Sequence, residues 1–482
     1  MQMNKWSLLA LAIAATSQLS HAADEMIADD DSKDPGIEQV SAAPASSQEQ
    51  SNGFIEDADL LLENRNVAFY HNYLNTDPGT QNYQNEWGQA AMLTFTSGYT
   101  KGLVGFGVDA FANGAVRLNS GAGTGGSPVL PANGSDCDAV TGSCAGQASY
   151  GLAGGAVKMR ISETEIKAGD LRPNSPVFGT WDGYLMPQHA TGGLFSSNEI
   201  ENLALQGGHF TSGNADNSTN RNGNLGTTYG VTRVDSADYL GGDYTFSDSL
   251  TFGLHAAKYE DVWNQYYADL YHFWGLSDDT SLLTSINYYK TKDAGDAEAG
   301  DIDTNAFSAA LALTHGAQTF TFAHQQINGD TPFDYLGISG FSGADNDGQL
   351  YNPAGSIWLA NASQFADFNS PNLKSYKLQY DLDASGVGIP GLSFMTRYVR
   401  GTGGDGTHAD VNGAYGFYVD MHDGKEWERD VQVAYVVQEG PAKDLSVTLR
   451  QATYRGNSDA NLNAGADNDE IRLITSYPLD IL

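Results

Sequence analysis

The sequence is short of basic residues: it carries 24 Lys and Arg against 59 Asp and Glu, for a formal net charge of −35. This acidic balance argues against nucleic acid as a partner, because the phosphate backbone attracts proteins with clustered positive charge. Charged residues make up 17% of the chain, below their usual share in soluble domains. Abundant Gly (56 residues) and aromatics (11%) instead predict many short strands joined by turns.

Long hydrophobic runs are missing after the first 22 residues, which excludes membrane-spanning helices. Before that point, Lys5 precedes an apolar run over residues 6–15, and a small-residue cleavage site ends at Ala22. This pattern predicts a secretory signal peptide over residues 1–22 and hence an exported protein. Residues 23–52 are acidic and poor in hydrophobic side chains, which predicts a disordered N-terminal extension.

Cysteine is almost absent from the chain. Cys137 and Cys144 are its only two cysteines, and they lie close together in a Gly- and Ser-rich segment. In an oxidising compartment this spacing predicts one local disulfide that tightens a surface loop. Two thiols with no nearby His are too few for a zinc site, so we expect neither a metal nor a cofactor.

Catalytic motifs are also lacking. The glycine patterns at residues 121–126 and 401–406 fit G-x-G-x-x-G, but neither opens a helix in a βαβ unit. The chain contains no H-E-x-x-H and no G-x-S-x-G motif, and its ten histidines are scattered. We therefore predict that the protein is not an enzyme, while an outer-membrane β-barrel enzyme built from distant residues remains an alternative.

What the sequence does contain is a repeated alternation of apolar and polar residues. Between residues 375 and 382, every second residue is Tyr or Leu and the others are polar. Tight connections such as Ser247-Asp248 alternate with long Gly- and Asn-rich ones such as residues 119–147. A soluble β-sandwich shares the periodicity, but the loop asymmetry and the signal peptide favour a transmembrane barrel. The prediction is an all-β, antiparallel transmembrane β-barrel over residues 53–482.

One stretch, residues 156–209, suggests how the barrel interior is arranged. It begins with a strand that places Lys158 and Arg160 on one face and aliphatic residues on the other. It continues into a Pro- and Gly-rich segment, residues 173–198, with no regular periodicity. Irregular segments of this length inside a domain are usually functional. We predict that this segment folds into the lumen as a constriction loop.

Basic residues on the polar faces of predicted strands form the second candidate feature. Together they would make a positive track for a carboxylate, although pairing with the many acidic residues explains any single one equally well. We call this set the basic ladder; it comprises Lys158, Arg160, Lys377, Arg397, Arg450 and Arg472. The opposing wall of the pore, which we call the eyelet, is assigned to Tyr184, Asp330, Asp334 and Tyr335. The last three belong to residues 329–335, which we also predict to fold into the lumen.

Several segments resemble the OprD family of outer-membrane porins, which are substrate-specific carboxylate channels. The matching segments are Gly53–Asp57, Val104–Phe111, Ala153–Lys158, Gly329–Gly337, Ile389–Met395 and Tyr477–Leu482. The resemblance implies a barrel of about 18 strands, inward loops that form an eyelet, and passive diffusion guided by a basic ladder. It also implies a monomer or loose homotrimer in contact with outer-membrane lipid and lipopolysaccharide. Tyr184 and Thr448 stand where members selective for basic amino acids tend to carry Arg.

The sequence thus predicts a substrate-selective porin of the Gram-negative outer membrane for small carboxylate-bearing solutes or amino acids. A chitooligosaccharide porin of the same class is the closest alternative, and stacked lumenal aromatics would indicate it. Trp181, Trp263 and Trp358 are the candidates for such a stack.

Overall fold

The computed structural model describes residues 47–131, 136–338, 355–461 and 467–482. The predicted signal peptide and the extension up to residue 46 lie outside the described residues. In the part of the chain that is described, no helix is long and apolar enough to cross a membrane. Short 3-10 segments lie at Gln48–Gln50, Ala384–Val387 and Gly416–Tyr418.

Strands account for most of the described chain. In order they are β1 (Asp59–Tyr73), β2 (Tyr83–Thr96), β3 (Val104–Asn119), β4 (Ser149–Ile161), β5 (Thr164–Leu171), β6 (His189–Ile200), β7 (Leu203–Asn214), β8 (Leu225–Thr227), β9 (Arg233–Val234), β10 (Ala237–Ser247), β11 (Leu250–Tyr259), β12 (Trp263–Ser277), β13 (Thr280–Asp293), β14 (Asp303–His315), β15 (Gln318–Asn328), β16 (Leu336–Ile338), β17 (Lys374–Asp383), β18 (Leu392–Gly404), β19 (Gly424–Val436), β20 (Ser446–Gly456) and β21 (Asn468–Asp480).

Eighteen of these strands form one closed antiparallel barrel, as predicted. Each strand pairs with its neighbours in chain order, and β1 pairs with β21 from Leu61↔Asp480 to Tyr73↔Asn468. This last pairing removes the two free edges that an open sheet would expose. The remaining strands, β8, β9 and β16, form a separate small sheet from the connecting loops.

The barrel wall has two chemically different faces because successive side chains point to opposite sides of a strand. On β17, Leu378 points outward and is 62% exposed, whereas its neighbour Lys377 points inward and is 1% exposed. The same alternation places Phe322 and Leu449 on the outside. The outer surface is therefore apolar and suited to lipid, while the polar residues face the lumen.

Connections at the two ends of the barrel differ in length. The start of β1, the end of β21 and the short turns, such as the one between β4 and β5, lie at one end of the barrel, and the long loops lie at the other. One prediction needs correction here: the irregular segment predicted at residues 173–198 ends at residue 188, and β6 follows. Gly192 and Gly193 suggested a loop, but they pair with β5 and β7 inside the sheet. At Gly192 a Cβ would lie 2.1 Å from the His209 carbonyl oxygen, so the close strand approach requires glycine.

The loop between β3 and β4 contains the disulfide that the sequence predicts. Cys137 and Cys144 are bonded to each other, with their Cα atoms 3.8 Å apart. The same two residues pair as an isolated β-bridge. The disulfide thus closes a local turn at the long-loop end of the barrel.

The two faces of β17 provide a test of the membrane-spanning arrangement. Leu378→Arg should lower the free energy of unfolding by about 2–4 kcal/mol, because it places a charge in the lipid-facing belt. Gln379→Glu, one residue away on the lumenal face and opposite Arg397, also adds a charge but should change it by less than about 1 kcal/mol. Chemical unfolding in lipid vesicles, followed by tryptophan fluorescence, measures both values. Equal destabilisation by the two variants would contradict the assignment of the faces.

Candidate permeation pathway

The connection between β5 and β6, residues 172–188, lies inside the barrel, and we call it the first inward loop. Its middle reaches β13, which is separated from β5 by five strands of the barrel wall. There the Tyr289 hydroxyl donates a hydrogen bond to the Pro176 carbonyl (2.9 Å). Its later part returns to the opposite wall, where Leu185 and Met186 are buried beside β1 and β2. The loop therefore crosses the lumen.

Residues 355–373, which precede β17, form the second inward loop. This loop follows the lumen wall, and its backbone N–H groups donate to polar side chains of four strands. These bonds run from Trp358 to Tyr289 (3.0 Å), Ala360 to Ser308 (3.0 Å), Asn361 to Gln325 (2.9 Å) and Phe365 to Glu428 (2.8 Å). Buried backbone groups need such partners. The inward polar residues of β13, β14, β15 and β19 therefore hold the loop against the wall.

Both inward loops converge on Arg472 of β21. Its Nε donates to Glu470 (2.6 Å), and its Nη2 lies 3.3 Å from both the Tyr184 hydroxyl and the Gln364 carbonyl oxygen. The guanidinium carbon is also 4.7 Å from the centre of the Tyr184 ring, a cation–π distance. The Gln364 amide in turn donates to Glu470 (2.8 Å). Arg472 thus connects the two loops at one point of the wall.

The two loops contact each other directly on the other side of the lumen. There the Ser356 hydroxyl donates to the Ser175 carbonyl. The loops are therefore bonded to each other near β13 and are both bonded to Arg472 near β21, so the pair spans the lumen as one layer.

The basic ladder lies on the inward faces of five strands, and all six side chains are almost fully shielded from solvent. Their exposed fractions are 4% for Lys158, 6% for Arg160, 1% for Lys377, 2% for Arg397, 6% for Arg450 and 2% for Arg472. Arg450 and Arg472 stand directly opposite each other on β20 and β21. The structure thus brings the predicted residues to the lumen in two groups, one on β4 and one on β17 to β21.

Acidic and carbonyl oxygens compensate the group on β17 to β21. Arg397 Nε contacts Asp430 on the neighbouring strand, and both side chains are buried. Lys377 donates to the carbonyl of Ala360 in the second inward loop. Together with the Arg472–Glu470 pair, these contacts lower the cost of placing positive charge in a poorly hydrated site.

The group on β4 stands near the short-turn end of the barrel. Lys158 Nζ lies 2.6 Å from an Asp109 oxygen. The Arg160 guanidinium stacks 4.0 Å from the centre of the Tyr99 ring, and its Nε donates to the side chain of Gln48 (3.2 Å). The part of the ladder nearest the short turns is therefore held in place by both an aromatic ring and an amide.

Gln48 belongs to the segment predicted as a disordered extension, and the structure differs from that expectation over residues 47–52. Gln48 is 3% exposed, and its backbone N–H donates to the Ser162 carbonyl (2.8 Å). Its side-chain amide donates to the Thr100 carbonyl (3.0 Å). These bonds order the segment, because each polar group that the mouth of the barrel buries finds a partner.

The sequence analysis did not predict three of the basic residues that face the lumen. Arg172 Nη2 donates to Asp182 of the first inward loop (2.8 Å), and Arg65 also bonds to that carboxylate. Lys167 lies 3.2 Å from Glu165 and pairs in register with Lys158. The tight turn between β4 and β5 sets this register, and it is the sequence signal that points to Lys167. Arg65 had no such signal, because Leu, Val and Phe share its face of β1 while Asn residues occupy the outer face.

Asp182 is the residue that fixes the first inward loop to these basic side chains. Burial raises the pKa of Asp182, but Arg65 and Arg172 outweigh that effect and hold the pKa below its ordinary value. The carboxylate is therefore charged at neutral pH and bridges β1 to the start of the loop.

The structure places only Tyr184, among the four predicted eyelet residues, against a ladder residue. Asp330 lies in an external loop with a 64% exposed side chain, 3.8 Å from His408. A solvated loop position satisfies its charge, so it does not face the basic residues as we expected. The acidic groups that do face them, Glu470 and Asp430, come from the barrel wall instead.

Asp334 and Tyr335 are buried within a loop network and do not face the basic ladder. The Asp334 carboxylate accepts hydrogen bonds from the backbone N–H of Gly230 (2.9 Å) and from the Tyr415 hydroxyl (2.9 Å). The Tyr335 hydroxyl donates to Asp367 (2.8 Å). The prediction for these two residues is therefore corrected: their polar atoms hold neighbouring loops together, because a buried carboxylate needs several donors.

The tryptophans proposed as a sugar-binding stack do not line up in the lumen. Trp263 has no exposed surface and packs edge-on against Tyr259, with ring centres 5.7 Å apart. Trp358 packs against Tyr267 in the same manner. Trp181 lies 6.3 Å from Tyr184 in the first inward loop. Nothing in this arrangement supports the chitooligosaccharide alternative.

Among the described residues, no cluster of His, Cys, Asp and Glu has the arrangement needed to hold a metal ion. The buried charged groups described above instead pair with one another, as in the contact of Arg472 with Glu470.

Comparison with known proteins identifies the family and supports the fold. The family model for "outer membrane porin, OprD family" matches residues 52–481. The chain belongs to this family. It is 40% identical to Porin D of Pseudomonas aeruginosa, with both chains covered completely. The crystal structure of P. aeruginosa OprD superposes with a TM-score of 0.76 at 39% identity, covering 91% of this chain and 99% of that one. The crystal structure of P. aeruginosa OpdK with vanillate gives 0.72 at 32% identity, covering 89% and 100%.

As an OprD-family porin, the protein is a channel of the Gram-negative outer membrane and is not an enzyme. The end of the barrel with the short turns, the start of β1 and the end of β21 is then the periplasmic end, and the long loops are extracellular. Arg160 accordingly stands near the periplasmic mouth, while the inward loops descend from the extracellular side.

The link between Asp182 and the two arginines should control how steadily the channel conducts. A carboxylate with a lowered pKa stabilises its arrangement above the unfolded pKa, and this contribution is lost as the pH falls through the folded pKa. Current flicker in single-channel recordings of the wild type should therefore stay low from pH 7 down to about pH 4 and rise only below it.

Asp182→Asn should raise that flicker at every pH, because it leaves two buried guanidinium groups without their shared carboxylate. Asp330→Asn, on the exposed external loop, is the matched control and should behave like the wild type. An onset of wild-type flicker near pH 6, or a quiet Asp182→Asn channel, would contradict this account.

Proposed function

We propose that small carboxylate-bearing solutes, amino acids included, diffuse passively between the two inward loops and then along the basic ladder. The observation that carries the proposal is the position of Arg472, which lies at the junction of both loops and directly opposite Arg450. Arginine forks match carboxylates in geometry, and a narrow lumen of low dielectric strengthens their attraction. A solute that passes the junction therefore meets two guanidinium groups.

The acidic partners of the ladder favour passage over tight binding. A solute carboxylate must compete with Glu470 for Arg472 and with Asp430 for Arg397. Conduction requires a site that is favourable enough to enter and weak enough to leave. Compensated cations meet both needs, whereas an isolated buried guanidinium would hold a carboxylate and block the pore.

A cavity along the lumen wall extends the pathway toward the periplasm. Its lining carries both signs of charge, including Lys167 and Arg172 beside Glu63, Asp109 and Asp182. Mixed charge of this kind suits an amino acid, whose ammonium and carboxylate groups need opposite partners. Farther along β4, Lys158 and Arg160 continue the basic track to the periplasmic mouth.

The relatives are consistent with carboxylate solutes. OpdK was crystallised with vanillate, which is an aromatic carboxylate. The barrel closes within one chain, so the pore needs no second copy; the association state, monomer or loose homotrimer, stays a prediction.

Removal of one ladder charge tests the role of the ladder. Arg450→Gln should slow the entry of benzoate by about tenfold, the effect of losing one charge-assisted hydrogen bond, and should leave the neutral benzamide nearly unchanged. Swelling rates of protein-loaded liposomes in each solute provide the measurement. Arg455→Gln, on the outward face of the same strand, is the matched control. An equal loss of both fluxes would show that Arg450 only shapes the pore.

The Tyr184 ring tests the location of the constriction. Tyr184→Ala should raise the single-channel conductance in potassium chloride and weaken the preference for benzoate over benzamide, because the ring covers Arg472 at the loop junction. Tyr184→Phe keeps the ring and loses only the 3.3 Å hydroxyl contact, so its conductance should match that of the wild type. An unchanged conductance in the alanine variant would place the narrowest point elsewhere.

A further inference from the structure

Positive charge outside the lumen is concentrated in one place on the barrel. The described residues include 22 of the 24 Lys and Arg residues, all but Lys5 and Lys33. Eight of them stand on the outward faces of strands near their extracellular ends, and we call these eight the outer basic belt. The belt comprises Lys258, Lys290, Lys292, Lys374, Arg400, Lys425, Arg429 and Arg455.

The belt stands at the level where the membrane surface begins. Tyr288 lies two residues closer to the membrane centre than Lys290, and Tyr398 is placed in the same way relative to Arg400. On β17, Tyr376 follows Lys374 toward the periplasm. Outward-facing aromatics of this kind mark the boundary between hydrocarbon and headgroups. The basic side chains therefore reach the headgroup layer of the outer leaflet.

The belt covers only one side of the barrel. Its members lie on β11, β13, β17, β18, β19 and β20, whereas the outward faces of β1 to β7 and β10 carry no Lys or Arg in the described chain. In a protein with a net charge of −35, this one-sided concentration contrasts with the overall balance.

Part of the belt is not neutralised by the protein. Three members pair with acidic residues: Lys290 with Asp303, Lys425 with Asp423, and Arg455 with Asp469. Lys258 and Lys292 form no ion pair within 4.0 Å in the described chain, but they stand in register opposite Asp238 and Asp303. Lys374 and Arg400 stand opposite the uncharged residues Gln326 and Trp427. Lys374 and Arg400 therefore keep their charge available at the headgroup layer.

Strand register gathers five members of the belt into two groups. Lys374 and Lys425 both pair with Thr402, on either side of β18, and Arg400 lies two residues from that threonine. Lys258 and Lys292 flank Asn264 in the same way across β12. Neighbouring strands are about 4.8 Å apart, so each group spans about 10 Å. That is a distance over which several flexible basic side chains can reach one phosphate.

We propose that the outer basic belt binds the phosphate groups of lipopolysaccharide in the outer leaflet. Basic residues at a membrane surface attract anionic headgroups, and the attraction adds up over a cluster. Lipopolysaccharide supplies phosphates at the depth to which the aromatic residues assign the belt. The lipid neutralises the belt and holds this side of the barrel, while the lumenal charges remain separate and serve solute passage.

A triple substitution in the tighter group tests the proposal on the detergent-purified full barrel. K374Q/R400Q/K425Q should bind lipid A with two phosphates at least tenfold more weakly than the wild type, measured by native mass spectrometry in a lipid titration. The control K101Q/K443Q removes two exposed charges from periplasmic turns and should bind as the wild type does. Conductance in planar bilayers should be the same for all three proteins, which shows that each is folded.

The chemistry of the lipid supplies the second arm of the test. The wild type should bind the same lipid A at least tenfold more weakly once both phosphates are removed, and equimolar inorganic phosphate should not displace the intact lipid. Undiminished binding by the triple variant or by the dephosphorylated lipid would overturn the proposal. Displacement by inorganic phosphate would overturn the assignment to a lipid.

Discussion

The compensation of buried positive charge is the interaction on which the interior of this barrel depends. A guanidinium in a poorly hydrated lumen is costly unless a carboxylate and further hydrogen bonds satisfy it. Arg472 meets this condition with Glu470 and also holds Tyr184 of one inward loop and Gln364 of the other. The contacts that stabilise the buried charge of Arg472 therefore also set the position of both inward loops. The shape of the lumen at this point and its electrostatics thus have one origin.

The same principle explains why the lumen carries so many acidic groups. Asp182 joins Arg65 to Arg172, and Asp430 faces Arg397. These pairs stabilise the charged forms of both partners. In the mechanism that we propose, they also leave each cation only weakly available to a passing solute, because one strong site would stop the flow.

The sequence predicted those features that depend on the two-residue period of a strand. Alternation assigned Leu378 to the lipid and Lys377 to the lumen, and the structure agrees. It failed where local composition gave a misleading signal, as at Gly192, whose missing side chain serves strand pairing. It also failed for Asp330 and Asp334, because the direction in which a loop folds depends on partners far away in the chain. Tyr415, which donates to Asp334, is 81 residues distant.

Single-channel recording of the wild-type protein in a planar bilayer, with benzoate and benzamide added in turn, tests the central claim most directly. The account predicts small, discrete openings that benzoate interrupts briefly in a concentration-dependent way, while benzamide at the same concentration leaves them unchanged. Wide openings that neither solute interrupts, from protein whose electrophoretic heat-modifiability shows a folded barrel, would contradict the claim that two loops joined at Arg472 form a carboxylate-selective constriction.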